Sequence, residues 1–203
     1  MKCIDLLLDD HKHIRRGLEV LEEMATRARH GRKPTKDDLK DLIEFLDEFA
    51  NRLHQGREDG ILFPTLLRQR EQQNYAKLRT LMFDHGRQRF LIQGLQESIL
   101  ASDMRNFVFC ATRLVEILRH HLDQEETILF PLANSTVSPT EDEHVATAMA
   151  EYDKFLQSHR LSKLLRRLED LESKYLGPTH GKVQALRRAS GQLPKEPQRT
   201  SPR

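Results

Sequence analysis

No apolar run in this 203-residue sequence approaches the roughly 20 residues that a membrane span requires, so no transmembrane helix is expected. A secretory leader is not expected either, because the short apolar stretch near Met1 runs at once into Asp9 and Asp10. Cysteine is scarce. Cys3 and Cys110 stand far apart, without the spacing of a metal or redox motif, and reduced thiols in a cytoplasmic protein are the expectation. No Val/Ile/Thr-rich segment alternates in the manner of a strand. Charge of one sign is missing too: 33 Lys and Arg face 31 Asp and Glu, a net charge of +2, and no basic stripe stands out. Nucleic acid and membrane surfaces are therefore not the expected partners.

What is present is helical periodicity. Leu, Ile, Phe and Met recur at three- and four-residue spacing. The pattern predicts a first helix over about 4–29, stopped by His30-Gly31 with Pro34 behind it. Thr35 with Asp37 and Asp38 reads as the start of a second, which continues past Pro64 with a local distortion. A third spans about 73–100. A fourth, capped by Ser102-Asp103, extends to about 133. Ser138-Pro139-Thr140-Glu141 opens a fifth, and Leu161, Leu164, Leu165, Leu168 and Leu171 mark a sixth or its continuation. Residues 1–176 read as one domain. Residues 177–203, rich in Pro, Gly and basic residues, read as a disordered basic tail.

The sequence also repeats itself. Asp10-His11…Arg15 matches Asp84-His85…Arg89, and His54-Gln-Gly-Arg-Glu58-Asp-Gly-Ile-Leu-Phe-Pro64 matches His121-Leu-Asp-Gln-Glu125-Glu-Thr-Ile-Leu-Phe-Pro131. Each half is a helical hairpin, and two hairpins make one all-α, up-down-up-down four-helix bundle with one or two extra C-terminal helices.

His54 and Glu58 lie one turn apart on one helix face, as do His121 and Glu125. Two such pairs, with His11 and His85 from the other helices, supply four imidazoles and two carboxylates. That set suits iron or manganese better than thiolate-loving metals. It ligates two metals if the carboxylates bridge, and burying so many ionisable groups without a cation is unfavourable. Asp10 and Asp84 are candidates to accept the N–H of a neighbouring helix's histidine, with Arg15 and Arg89 pairing those acids.

Other residues carry weaker signals. His120 competes with His121, but the Leu-Phe-Pro alignment favours His121. His13 is expected on the solvated side, and His30, His144, His159 and His180 at the surface. His144, Tyr152, Asp153 and His159 on the fifth helix stay open as a cover or an added ligand. Phe90, Phe107 and Phe109 are expected in the core.

These motifs resemble the hemerythrin-like family, also called HHE cation-binding domains, strongly over about 4–133 and loosely over 138–175. The resemblance implies a bundle around an oxo- or hydroxo-bridged pair of iron ions, held by His11, His54, Glu58, His85, His121 and Glu125. Manganese and zinc stay open. Animal oxygen carriers of the family use His-x-x-x-His on the third helix, where this chain has Arg89 four residues after His85 and Leu81 four before. The ligand pattern is similar to that of bacterial four-His, two-Glu members, including iron–sulfur-cluster repair proteins. The paired cysteines those carry have no counterpart in this sequence. The implied function is binding of, or reaction with, O₂, NO or peroxide in oxidative or nitrosative stress response or sensing. A binding protein is favoured over an enzyme such as a weak peroxidase. The alternatives are an iron donor in cluster repair and an iron- or oxygen-sensing regulatory module. A homodimer or a protein partner stays open.

Overall fold

A computed structural model describes residues 1–68, 72–156 and 158–177, with the backbone alone at 72–75 and 158–159. The proposed tail from residue 178 onward, including His180, lies outside the described residues, as does the side chain of His159. Eight α-helical segments are present, with no strand among the described residues: α1 (Lys2–Arg29), α2 (Lys36–Phe45), α3 (Phe63–Arg68), α4 (Gln72–Ala101), α5 (Met104–Gln124), α6 (Phe130–Thr136), α7 (Pro139–Phe155) and α8 (Ser158–Tyr175). None is long and apolar enough to cross a membrane.

Local chemistry sets the ends. The C-terminus of α1 closes where Gly31 takes φ +78° and Arg32 N–H reaches back to Arg27 O. Thr35 accepts Asp38 N–H, Asp103 accepts Arg105 and Asn106 N–H, and Ser138 and Glu141 form a reciprocal capping box. The start of α1 has no cap of its own. Asp142 of α7 supplies it from outside, accepting Lys2 N–H at 2.8 Å and Cys3 N–H at 3.1 Å.

Four rods form the bundle: α1; α2 running on into α3; α4; and α5 running on into α6. The second and fourth rods pass through π-helical turns at Leu46–Gln55, Glu58–Leu62 and Glu125–Leu129. The last two occupy the same place in each repeat. Phe63 N–H bonds Glu58 O, and Phe130 N–H bonds Glu125 O, five residues back in both. Pro64 and Pro131 follow directly. A proline ring collides with the carbonyl four residues before it, and the widened turn lets the rod continue. The distortion expected at Pro64 is therefore a π turn, present twice.

The rods stand antiparallel around a square. Arg15 reaches Asp123 and Arg119 reaches Glu22, while Asn106 reaches Ser98 and Gln55 reaches Gln88. Apolar packing divides into two clusters. One is built from the Ile14–Ala25 part of α1, the second rod as far as Leu53, Leu91–Leu95, Phe107–Leu122 and the leucines of α8. The other gathers Cys3, Ile4, Leu7, Leu62, Phe63, Leu66, Leu78, Leu81, Leu129, Phe130, Val145 and Met149. Between them lies a layer of buried polar residues.

The two C-terminal helices cover one side only. α8 lays Leu164, Leu168, Leu171 and Tyr175 onto α1 and α2, tied by Arg16–Glu172, Arg167–Glu44 and Lys174–Asp38. α7 crosses the second rod at Gly56, where a Cβ would collide with the Tyr152 hydroxyl. That hydroxyl donates to Arg52 O at 2.7 Å. On the opposite side α4 and α5 leave a groove of about 570 Å³ lined by Met82, Phe83, Phe90 and Phe109. The expectation that Phe90 and Phe109 are core residues is thereby corrected: they are 74% and 60% exposed, and only Phe107 is buried. No described helix plays the part of α8 on that face. Cys3 and Cys110 are free and buried.

Candidate metal centre

His11, His54, Glu58, His85, His121 and Glu125 converge in the polar layer from all four rods, each at most 1% exposed. They fall into two groups that share both glutamates: His11, His54, Glu58 and Glu125, and Glu58, His85, His121 and Glu125. Within each group one ligand atom per residue lies within 4.8 Å of all the others. The repeat thus places two equivalent pockets around a pair of common carboxylates.

The contacts in the layer are close without being satisfied. His121 Nε2 lies 2.8 Å from Glu125 Oε1, His11 Nε2 3.2 Å from Glu125 Oε2, and His54 Nε2 3.5 Å from Glu58 Oε2. Yet both oxygens of Glu58 and of Glu125, with Nε2 of His11 and of His54, have no hydrogen-bond partner among the described residues. His85 and His121 turn their Nε2 atoms toward each other at 2.9 Å. Buried polar atoms are ordinarily paired. A cluster of six residues aiming lone pairs at a common space is unfavourable unless a cation sits there, so the donor set fits divalent metal ions.

The electrostatics agree. Burial pushes the His54 imidazole down, but Glu58, Asp10 and Glu125 outweigh it and lift it to about 10. His85 is likewise raised, against its burial, by Asp59, Glu125 and Glu58. Glu125 is held well below the carboxylate range by His121, His11 and His54 despite being buried. The layer favours positive charge, as a site for metal cations does.

Around the centre the halves interlock. The acid after each glutamate holds the lone histidine of the other half: His11 Nδ1 meets Glu126 Oε1 at 2.9 Å, and His85 Nδ1 meets Asp59 Oδ1 at 2.8 Å. Arg15 donates to Glu126 at 3.0 Å and Arg89 to Asp59 at 3.2 Å. These contacts keep both acids ionised: His11 lowers Glu126 against its burial, and His85 with Arg89 does the same for Asp59. The phenylalanines of the Leu-Phe-Pro tripeptides pack on the same rings, Phe130 on His11 at 5.3 Å and Phe63 on His85 at 5.6 Å.

This corrects the expected supports. Arg15 and Arg89 hold Glu126 and Asp59, not Asp10 and Asp84. Asp10 does approach His54 Nδ1, at 3.4 Å. Asp84 turns instead to Arg87 at 3.2 Å, and His121 Nδ1 is buried without a partner among the described residues. Helical spacing does not single out Asp59 and Glu126, because adjacent residues point about 100° apart on a single helix, and only the tertiary arrangement brings them to the other half's histidine. Their recurrence beside both glutamates was the available signal.

Two further buried features had no motif. Arg57 bridges Asp10 and Asp153 of α7. Gln55 Nε2 donates to Gln88 Oε1, whereas their repeat equivalents Leu122 and Ile14 are core residues. His120 and His144 are exposed. Tyr152 and Asp153 bind the second rod rather than the centre. His13, expected in solvent, is half-buried edge-on to Phe49 at 5.7 Å, on the side that α8 covers.

Neither curated proteins nor solved structures give a match to this chain. Residues 3–133 match the hemerythrin HHE cation-binding domain, the same span that carries both hairpins and all six converging side chains. By that match and by its duplicated His-and-Glu centre, the chain belongs to the hemerythrin HHE cation-binding domain family.

Proposed function

We propose that this protein holds two iron ions and uses them to bind or react with O₂, NO or peroxide, in a stress-response or sensing role in the cytoplasm. His11, His54, Glu58 and Glu125 hold one ion, and Glu58, His85, His121 and Glu125 the other. The observation that carries the reading is the pair of four-residue groups sharing two glutamates whose oxygens are buried and unpaired. Two ferrous ions supply two electrons to an oxidant or an open position for a diatomic. Imidazole and carboxylate ligation suits iron, and manganese also fits the set.

The residues of the chain have separable tasks. Glu58 and Glu125 belong to both groups and would be shared by the two ions. The Nδ1 contacts of His11 with Glu126 and of His85 with Asp59 hold those rings with Nε2 turned inward. The apolar clusters on either side of the layer exclude bulk water. Free, buried thiols at Cys3 and Cys110 accord with a reducing compartment.

Anaerobic reconstitution with ferrous iron, followed by titration with O₂, NO and H₂O₂, tests the proposal. The expected result is uptake of two irons per chain and a change in the optical spectrum with at least one of the three. Protein that takes up no iron, or a loaded centre indifferent to all three, overturns it.

A further inference from the structure

The two pockets present matching ligands, but their outer supports differ. In the His11–His54 pocket both rings have an anionic acceptor on Nδ1: Glu126 for His11, and Asp10 for His54. Each acid is itself fixed. Arg15 holds Glu126, and Arg57 holds Asp10 while Asp153 of α7 grips the same guanidinium at 2.8 and 2.6 Å. In the His85–His121 pocket only His85 has such an acceptor among the described residues, Asp59. His121 Nδ1 is buried and has no partner among the described residues, since Asp84 turns to Arg87. Gln124 stands where the repeat has Arg57, and no described helix takes the place of α7 there. Beside it the α4–α5 seam holds a small cavity of about 130 Å³ lined by Lys77, Thr80, Leu81, Gln124 and Ile128. Leu81 lies one turn before His85, and Gln124 one turn after His121.

An acceptor on Nδ1 does two things for a metal-binding imidazole. It fixes the proton there, so that the Nε2 lone pair is always available, and it makes that nitrogen a stronger donor. His121 lacks both effects, and its buried N–H stays unpaired when Nε2 ligates. Repulsion between two divalent ions sharing carboxylates weakens whichever binds second. The outer partners decide which position that is.

We infer that the two metal positions are unequal: the one between His11 and His54 fills first and retains its ion, and the one between His85 and His121 fills second and exchanges. The inference rests on the metal-centre reading above and adds an order to it. The loss of one such outer partner weakens metal binding by about 10–100-fold, and a separation of that size is expected between the two steps. It makes the His85–His121 position the one that leaves, returns and responds to supply; the order rests on the outer partners and not on access, since the larger opening, of about 510 Å³, is lined by His11 and Glu126.

Titration of the metal-free chain with Co²⁺, read by native mass spectrometry, is expected to pass through a dominant one-metal species. Anomalous diffraction from crystals grown at one equivalent is expected to place that ion between His11 and His54. Chelator is expected to remove one ion at least tenfold faster than the other. Asp10→Asn is expected to narrow the gap between the two constants, while Asp84→Asn leaves both unchanged. Equal occupancy of the two positions at one equivalent, first filling between His85 and His121, or a folded Asp10→Asn variant with the separation intact would overturn the inference while leaving a two-metal centre in place. A chain that binds no metal at any ratio would instead overturn the centre itself.

Discussion

On the α1–α2 side of the bundle, α8 seats three leucines in the groove and acidic and basic side chains lace its rim, while Arg57 ties that hairpin to α7. On the α4–α5 side no described helix fills the corresponding groove, and Phe83 is 68% exposed. The same duplicated unit has therefore been finished in two ways. The inner surface, where six ligand-type side chains meet, keeps the symmetry of the repeat. The outer surface does not, and the supports of His54 and His121 differ as a result. Ligand identity and ligand support are thus specified by different parts of the chain.

The largest expected effect tests whether the glutamates are common to both halves. Glu125→Ala is expected to lose both ions, because each position depends on that carboxylate, whereas His121→Ala is expected to keep one; metal analysis of purified, folded protein reads the difference. Next comes the ion pair on the covered side. Arg57→Ala leaves Asp10 buried and uncompensated and is expected to destabilise the chain by about 3–5 kcal/mol. Gln124→Ala, its counterpart, is expected to stay under about 1 kcal/mol, both by urea denaturation. A third contrast concerns packing: Leu168→Ala is expected to lose about 2–5 kcal/mol, and Phe90→Gln to stay within about 0.5 kcal/mol.

The smallest effect is a pH dependence of the α8 clasp. Lys174, Tyr175 and Thr35 hold the Asp38 carboxyl below its usual 3.8, against the effect of burial. A carboxyl depressed in the folded state contributes stability that is present above its unfolded pKa and lost as pH falls through the folded one. Melting temperature is therefore expected to drop below about pH 4, and Asp38→Asn to flatten that part of the profile.

The convergence of these six side chains could be read from the sequence because duplication made each His-x-x-x-Glu pair corroborate the other, and because helical spacing alone places both members on one face. Helix ends were equally legible at Gly31, Thr35, Asp103 and Ser138, where capping is local chemistry. Contacts between halves were not. The His85–Asp59 and His11–Glu126 bonds depend on how rods pair, and the divergence of Asp84 from Asp10 depends on whether α7 lies nearby. Phe90 and Phe109 misled for a related reason: periodicity reveals an apolar face but not what covers it.

The π turns after Glu58 and Glu125 have a consequence for the lengths this chain can tolerate. Relative to an α-helix, each is a one-residue insertion that rotates everything after it by about 100°. Phe63 and Phe130 owe their places against His85 and His11 to that rotation. Removing Gly60 or Thr127 would restore α-helical phase across that turn, yet swing each ring away and bring each proline back against the carbonyl before it. Both copies hold the extra residue at the same point, as expected if the unit carried it before it was doubled. The length of that turn is then as much a part of the repeated unit as the histidines.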